Sequence, residues 1–173
     1  MDLDPSKILI MAAGQNPHEI EEELRRGADV NFQRLDGNTA LMVACFSNKP
    51  ECVTTLLNVP NINVNLENNE HETAFSIAIR FRRHHALKTL LGRHPDLVDA
   101  KIRVNGVERT PIQYLIASKS SNDTYDFLGF SNTLQVLTDF DAEARQKDLE
   151  EIERIRAIAQ EALTAQYTLT LRM

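Results

Sequence analysis

Three segments of the chain repeat one pattern: Thr39–Ala44 (TALMVA), Thr73–Ala78 (TAFSIA) and Thr110–Leu115 (TPIQYL), with their threonines 34 and 37 residues apart. Two leucine pairs keep the same phase, Leu56-Leu57 and Leu90-Leu91 lying 17 and 18 residues beyond their own threonines. Upstream, Gly27–Asn31 (GADVN) is echoed by Asn61–Asn65 (NINVN). Self-similarity at this period marks a stacked-repeat architecture, because one such unit cannot bury its own apolar face. Each copy reads as a turn, a short helix, a second helix and an extended stretch. The threonine is a helix N-cap whose hydroxyl accepts from a backbone N–H of the first turn. Leu41 and Ala44, then Val53, Leu56 and Leu57, recur at helical spacing and point to a shared core. Small Ala44 and Ala78 let neighbouring helices approach.

These residues resemble the ankyrin repeat, whose period is about 33 and whose first helix opens on a Thr-Pro-Leu-His-x-Ala type signature. Thr110-Pro111 and Gly27–Asn31 carry the likeness most specifically, and Leu35–Leu41 (LDGNTAL) adds to it. It covers residues 1–118 closely and extends more loosely to 140. The resemblance implies an all-α solenoid over 1–140, with roughly four stacked helix-turn-helix repeats and β-hairpin fingers. It also implies non-catalytic binding of a protein partner through fingertips and inner helices.

The copies depart from the pattern in places. The first has Lys7 where a threonine belongs, and its inter-helix turn, Gly14 to Pro17, is one residue short. The third has Arg82-Arg83-His84 in place of a turn glycine. Ile102–Val107 (IRVNGV) reads as a hairpin with a type I′ Asn-Gly turn. After Ala117 a polar loop intervenes, and the fourth second helix is expected at Thr124–Leu128 or Thr133–Phe140. The favoured reading puts Val136-Leu137 in the paired apolar positions. Residues 141–173 form a second unit: a long amphipathic helix to about Ala165, with Leu149, Ile152, Ile155, Ala159, Ala162 and Leu163 on one face. It is read as a cap for the stack or, alternatively, as an assembly helix for an oligomer or complex. The alternating tail Tyr167–Leu171 follows.

Composition excludes several classes. The formal net charge is -6, which opposes a general nucleic-acid binder. Two cysteines, Cys45 and Cys52, cannot build a disulfide framework and suggest a reducing, cytoplasmic setting. Both read as small buried hydrophobes. The apolar run Ile8 to Ala13, like every other in the sequence, is too short for a membrane span, and Asp2 and Asp4 are the wrong charge for a signal peptide. No metalloprotease, dinucleotide, phosphate-loop or nucleophile-elbow motif occurs, so no catalytic residue, cofactor or metal is expected. Adjacent His84 and His85 point about 100° apart on a helix and are poorly placed to share an ion.

The feature that stands out is Arg80–His85 (RFRRHH). In the ankyrin register, Arg80 and Phe81 take the variable positions that line the concave groove; Phe46 and Ser47 take them in the second copy, Ser118 and Lys119 in the fourth. Fingertip positions fall on Leu35, Asp36 and Asn38, on Asn69, Glu70 and Glu72, and on Gly106, Val107 and Arg109. The expected protein-binding set is therefore Phe46, Ser47, Glu70, Glu72, Arg80, Phe81, Arg82, Arg83, Arg109 and Lys119. Arginine forks match carboxylate and phosphate geometry, so an acidic or phosphorylated partner segment is expected, anchored by Arg80, Arg82 and Phe81. The asparagine-rich connector Asn58–Asn65 is similar in style to ankyrin proteins of intracellular bacteria and protists. That implies an alternative role as an effector adaptor secreted into a host cell.

Overall fold

A computed structural model describes residues 4–104, 107–118, 127–140 and 157. Four helix pairs stack in chain order: α1 Pro5–Ala13 with α2 Pro17–Arg25, α3 Ala40–Phe46 with α4 Pro50–Leu57, α5 Ala74–Arg80 with α6 His84–Arg93, and α7 Pro111–Ala117 with α8 Phe127–Phe140. The inner helices α1, α3, α5 and α7 form one row and the outer helices α2, α4, α6 and α8 the other.

The repeated threonines are the caps expected of them. Backbone N–H groups of Met42, Ser76 and Gln113 donate to the hydroxyls of Thr39, Thr73 and Thr110 at 3.2–3.3 Å. Each threonine's own N–H donates back to the side chain three residues on, a reciprocal box that satisfies two otherwise orphaned donors. The first copy solves the problem differently. Its helix starts ahead of Lys7: Asp4 is the cap, accepting from the Ser6 N–H at 2.9 Å.

The inter-helix turns explain the missing glycines. Asn48 and Arg82 occupy the same turn position and both take left-handed backbone, at φ 54° and 55°, where glycine is the usual residue. In the first copy the shorter turn omits that step, and Gly14 sits at φ -83°. The Asn48 side chain also accepts from the Ala86 N–H at 3.1 Å. It thereby caps α6, whose own cap residue Arg83 makes no side-chain bond.

One apolar core runs the length of the stack, from Leu9 and Ile20 through Leu41, Leu56 and Phe75 to Leu90, Leu115 and Leu137. Ala44 and Ala78 are fully buried between helices. Cys45 and Cys52 are buried free thiols within the core, and burial pushes the Cys45 thiol far up.

The fourth pair corrects the register. The buried side chains of α8 are Phe130, Thr133, Leu134, Leu137 and Thr138, while Val136 is only half-buried. The residues matching Leu90 and Leu91 are thus Leu137 and Thr138, one step on from Val136-Leu137. The two threonine hydroxyls stay inside by donating to the Gly129 and Gln135 carbonyls at 2.8 and 3.0 Å. Residues 141–173, apart from 157, lie outside the described residues, and so do most of the loop before α8 and the Asn105-Gly106 turn.

The fingers also differ from expectation. Among the described residues only the fourth is a β-hairpin, with β1 Ile102–Val104 antiparallel to β2 Val107–Arg109 in the register Ile102↔Arg109. The preceding fingers are turns stitched by amide side chains. Asn31 bonds both the Asn61 carbonyl and the Asn63 N–H, Gln33 bonds the Gly37 and Glu67 carbonyls, and Asn68 bonds Asn38. Side-chain amides, holding both donor and acceptor, replace strand pairing at these exposed edges.

Candidate functional site

The inner helices end on the residues that face the groove. Phe46 closes α3, and Phe81 caps α5. Their rings meet edge to face with centroids 4.8 Å apart, a geometry aromatic quadrupoles favour. Phe46 remains 46% exposed. Two arginines flank the pair: the Arg80 guanidinium carbon lies 4.5 Å from the Phe81 centroid, and that of Arg83 lies 5.4 Å from the Phe46 centroid. A depression of about 250 Å3 opens beside them, with Met42, Val43 and Ile77 among its apolar lining residues and Arg34, Asn38, Asn68, Glu70 and Arg80 among its polar ones.

On the finger side the charges are paired internally. Arg80 donates to Glu72 Oε2 at 2.7 Å and reaches Glu70 Oε2 at 3.4 Å. The Tyr114 hydroxyl donates to the other Glu72 oxygen at 3.2 Å. Glu72 is not the fingertip residue the register suggests: it is buried, and burial raises its carboxyl above the usual value, the Arg80 charge pulling the other way. Burial and the Glu72 charge push the Tyr114 phenol up to about 12. Arg34 grips Asp36 through Nε at 2.9 and 3.0 Å.

The remaining expected residues separate. Ser47 is half-buried at the end of α3, close against Gly14. Arg82 does not line the groove. It is buried, its guanidinium carbon 5.9 Å from the Phe130 ring centroid of α8, because the left-handed turn aims it along the stack. Arg109 is half-buried on β2, near enough for its charge to act on Tyr114. Lys119 lies outside the described residues, as does Gly106. Leu35 and Val107 are exposed fingertip residues.

Sequence reasoning missed Tyr114, yet the signal was there. Val43, Ile77 and Tyr114 each stand four residues after their threonine, so all three occupy the same register position on the inner helices. Among the described residues no group of histidines, cysteines and carboxylates is arranged to hold a metal ion, and no helix is long and apolar enough to cross a membrane.

A family model described as Ankyrin repeats (3 copies) matches residues 9–105. Ankyrin repeat domain-containing protein SAT10 of Stachybotrys chartarum is 52% identical over 40 residues, which is 23% of this chain and 2% of that protein. The likeness to that relative is therefore local to about one repeat, and the chain spans only a small part of its length. The family match takes in more than half of the chain, from within α1 through α6, and on that ground the chain belongs to the ankyrin-repeat family.

Proposed function

We propose that this chain is a protein-binding module that captures a partner segment along its concave face, centred on Phe46 and Phe81. Ankyrin repeats are in general non-catalytic protein–protein interaction modules. The observation that carries the reading is the aromatic pair itself. A ring left 46% exposed beside a second ring and two arginines is the composition from which interface hot spots are drawn. The partner segment is acidic or phosphorylated, matching the arginines at the turn end of the groove. The test is capture from lysate with the wild type and with Phe46→Ala, the latter checked for native circular dichroism. Binding at this face predicts preys lost only in the variant; preys retained in full place the site elsewhere.

A second reading, assembly through the far end of the stack, has its own observation. Cys45 and Ile79 are fully buried beneath the next repeat, whereas Ile116 at the same register position is half-buried and Leu128 on α8 is 70% exposed. If a second copy docks there, light scattering gives twice the 19.6 kDa protomer mass, and Leu128→Glu restores the protomer. A single protomer mass in the wild type removes this reading.

A further inference from the structure

The cations around the groove are not equivalent. Arg34 is engaged by Asp36, Arg80 by Glu72 and Glu70, and Arg82 is turned away toward α8. Arg83 makes no ion pair among the described residues; its Nε, like those of Arg80 and Arg82, is buried and closed to an outside acceptor, so the edge it can offer is the terminal Nη pair. It lies over the Phe46 ring, where stacking fixes a guanidinium's plane and leaves its N–H edge to other acceptors. Exposed Lys49 and His85 flank it in the adjoining inter-helix turns, and those turns are tied together by the Asn48 bond to the Ala86 N–H. Glu51, the carboxylate nearest Lys49 in sequence, forms no ion pair with Lys49 or Arg83 among the described residues. The charge across the aromatic pair therefore runs from balanced on the finger side to positive on the turn side.

We propose that Arg83 is the anion anchor of the groove. The partner lays an apolar side chain against Phe46 and Phe81, and an adjacent aspartate or glutamate gives its carboxylate to the free edge of Arg83. One unpaired guanidinium offers one bidentate fork, which matches a carboxylate; a phosphate carries up to twice that charge and is typically held by arginine clusters. Arg80 has a separate role, tying the third finger to α5 through Glu72. The assignment rests on groove binding at Phe46 and Phe81, and it moves the acid-recognising residue from Arg80 to Arg83.

The test is selection of a random-peptide phage library on the full chain, followed by affinities of the leading peptide for point variants. The expected result is enrichment of an apolar residue next to Asp or Glu, with binding that weakens as salt rises. Arg83→Ala should weaken the leading peptide about tenfold or more and erase its preference for the acid over the amide, as expected for loss of a charge-assisted bond. Arg83→Lys should recover part of the affinity, whereas Arg80→Ala, assayed below its melting temperature, should keep the acid preference. An acid preference that survives Arg83→Ala, or enrichment of basic peptides or of none, overturns the assignment. If the peptides bind Phe46→Ala and Phe81→Ala as tightly as wild type, groove binding itself fails.

Discussion

Arg80 and Glu72, eight residues apart, meet at 2.7 Å with the carboxylate buried and the guanidinium half-exposed. Glu72 also accepts from Tyr114, and its N–H donates to Asn68, so one carboxylate joins the third finger, α5 and α7. Removing one partner of such a pair strands a buried charge. Arg80→Ala is therefore expected to cost about 2 kcal/mol of stability, typical for hydrogen bonds to a charged group, measured by urea unfolding. Arg80→Glu should cost more, since it sets a third carboxylate beside Glu70 and Glu72. A variant as stable as wild type would show that the pair is not holding the finger.

The same carboxylate gives a pH dependence with a definite sign. Burial holds Glu72 above its ordinary 4.5 in the folded protein, so the native state keeps that proton to higher pH than the unfolded chain. Its contribution is full below 4.5 and is lost as pH rises through the elevated folded value. Asp36 works the other way, because Arg34 holds it well below its ordinary 3.8 and its contribution is lost only at still lower pH. Urea unfolding of wild type and Glu72→Gln between pH 7 and pH 4.5 should thus show wild type gaining on the variant as pH falls. A wild-type advantage that grows with rising pH would contradict this.

What could be read in the sequence was whatever one repeat shares with the next. The threonine caps, the buried Ala44 and Ala78, the core cysteines and the Ile102–Val107 hairpin all follow from local pattern. The site was legible only as positions. That Phe46 and Phe81 fall in the groove follows from register, but the partners of Arg80 and the burial of Glu72 depend on side chains brought together across repeats. Arg82 was misplaced because its left-handed turn, φ 55°, redirects the side chain. The α8 register was obscured by Thr133 and Thr138: two of its core positions are polar residues whose hydroxyls are satisfied by helix carbonyls.

Gly37 bears on how the fingers hold together. It adopts φ 79°, and a Cβ there would meet the Asn69 amide nitrogen at 2.7 Å and the Asn68 Cα at 2.8 Å. Neither is the end of a flexible side chain, so the third finger must shift. Gly37→Ala is expected to cost about 2 kcal/mol or more, combining left-handed strain with a backbone clash. Thermal unfolding checks the stability, and amide exchange at Asn68 and Asn69 should accelerate if the loss arises at that seam.

Turn geometry can be tested at Asn48, which combines two effects. Its left-handed φ of 54° favours glycine, while its side chain caps α6 through Ala86. Asn48→Gly relieves the backbone but loses the cap, and a net cost of about 0.5–1 kcal/mol is expected. Asn48→Ala loses the cap and adds the strain of a Cβ, for a cost of about 2 kcal/mol. Equal destabilisation by both in chemical unfolding would mean that the backbone conformation is not the stored cost.

The α8 register gives the sharpest separation of alternatives. Leu134 is 2% exposed and faces the core beside Phe130 and Leu137. Had Val136-Leu137 matched the leucine pairs of earlier copies, Leu134 would take the half-exposed position of Thr54 instead. Leu134→Ala should therefore behave as a core truncation, costing about 2–4 kcal/mol, while Val136→Ala at a half-buried position should cost about 1 kcal/mol or less. Thr133→Val, which removes a hydroxyl whose acceptor is already a helix carbonyl, should be close to neutral. The reverse order, with Val136 costly and Leu134 cheap, would shift α8 by one residue and carry the buried threonines out to solvent.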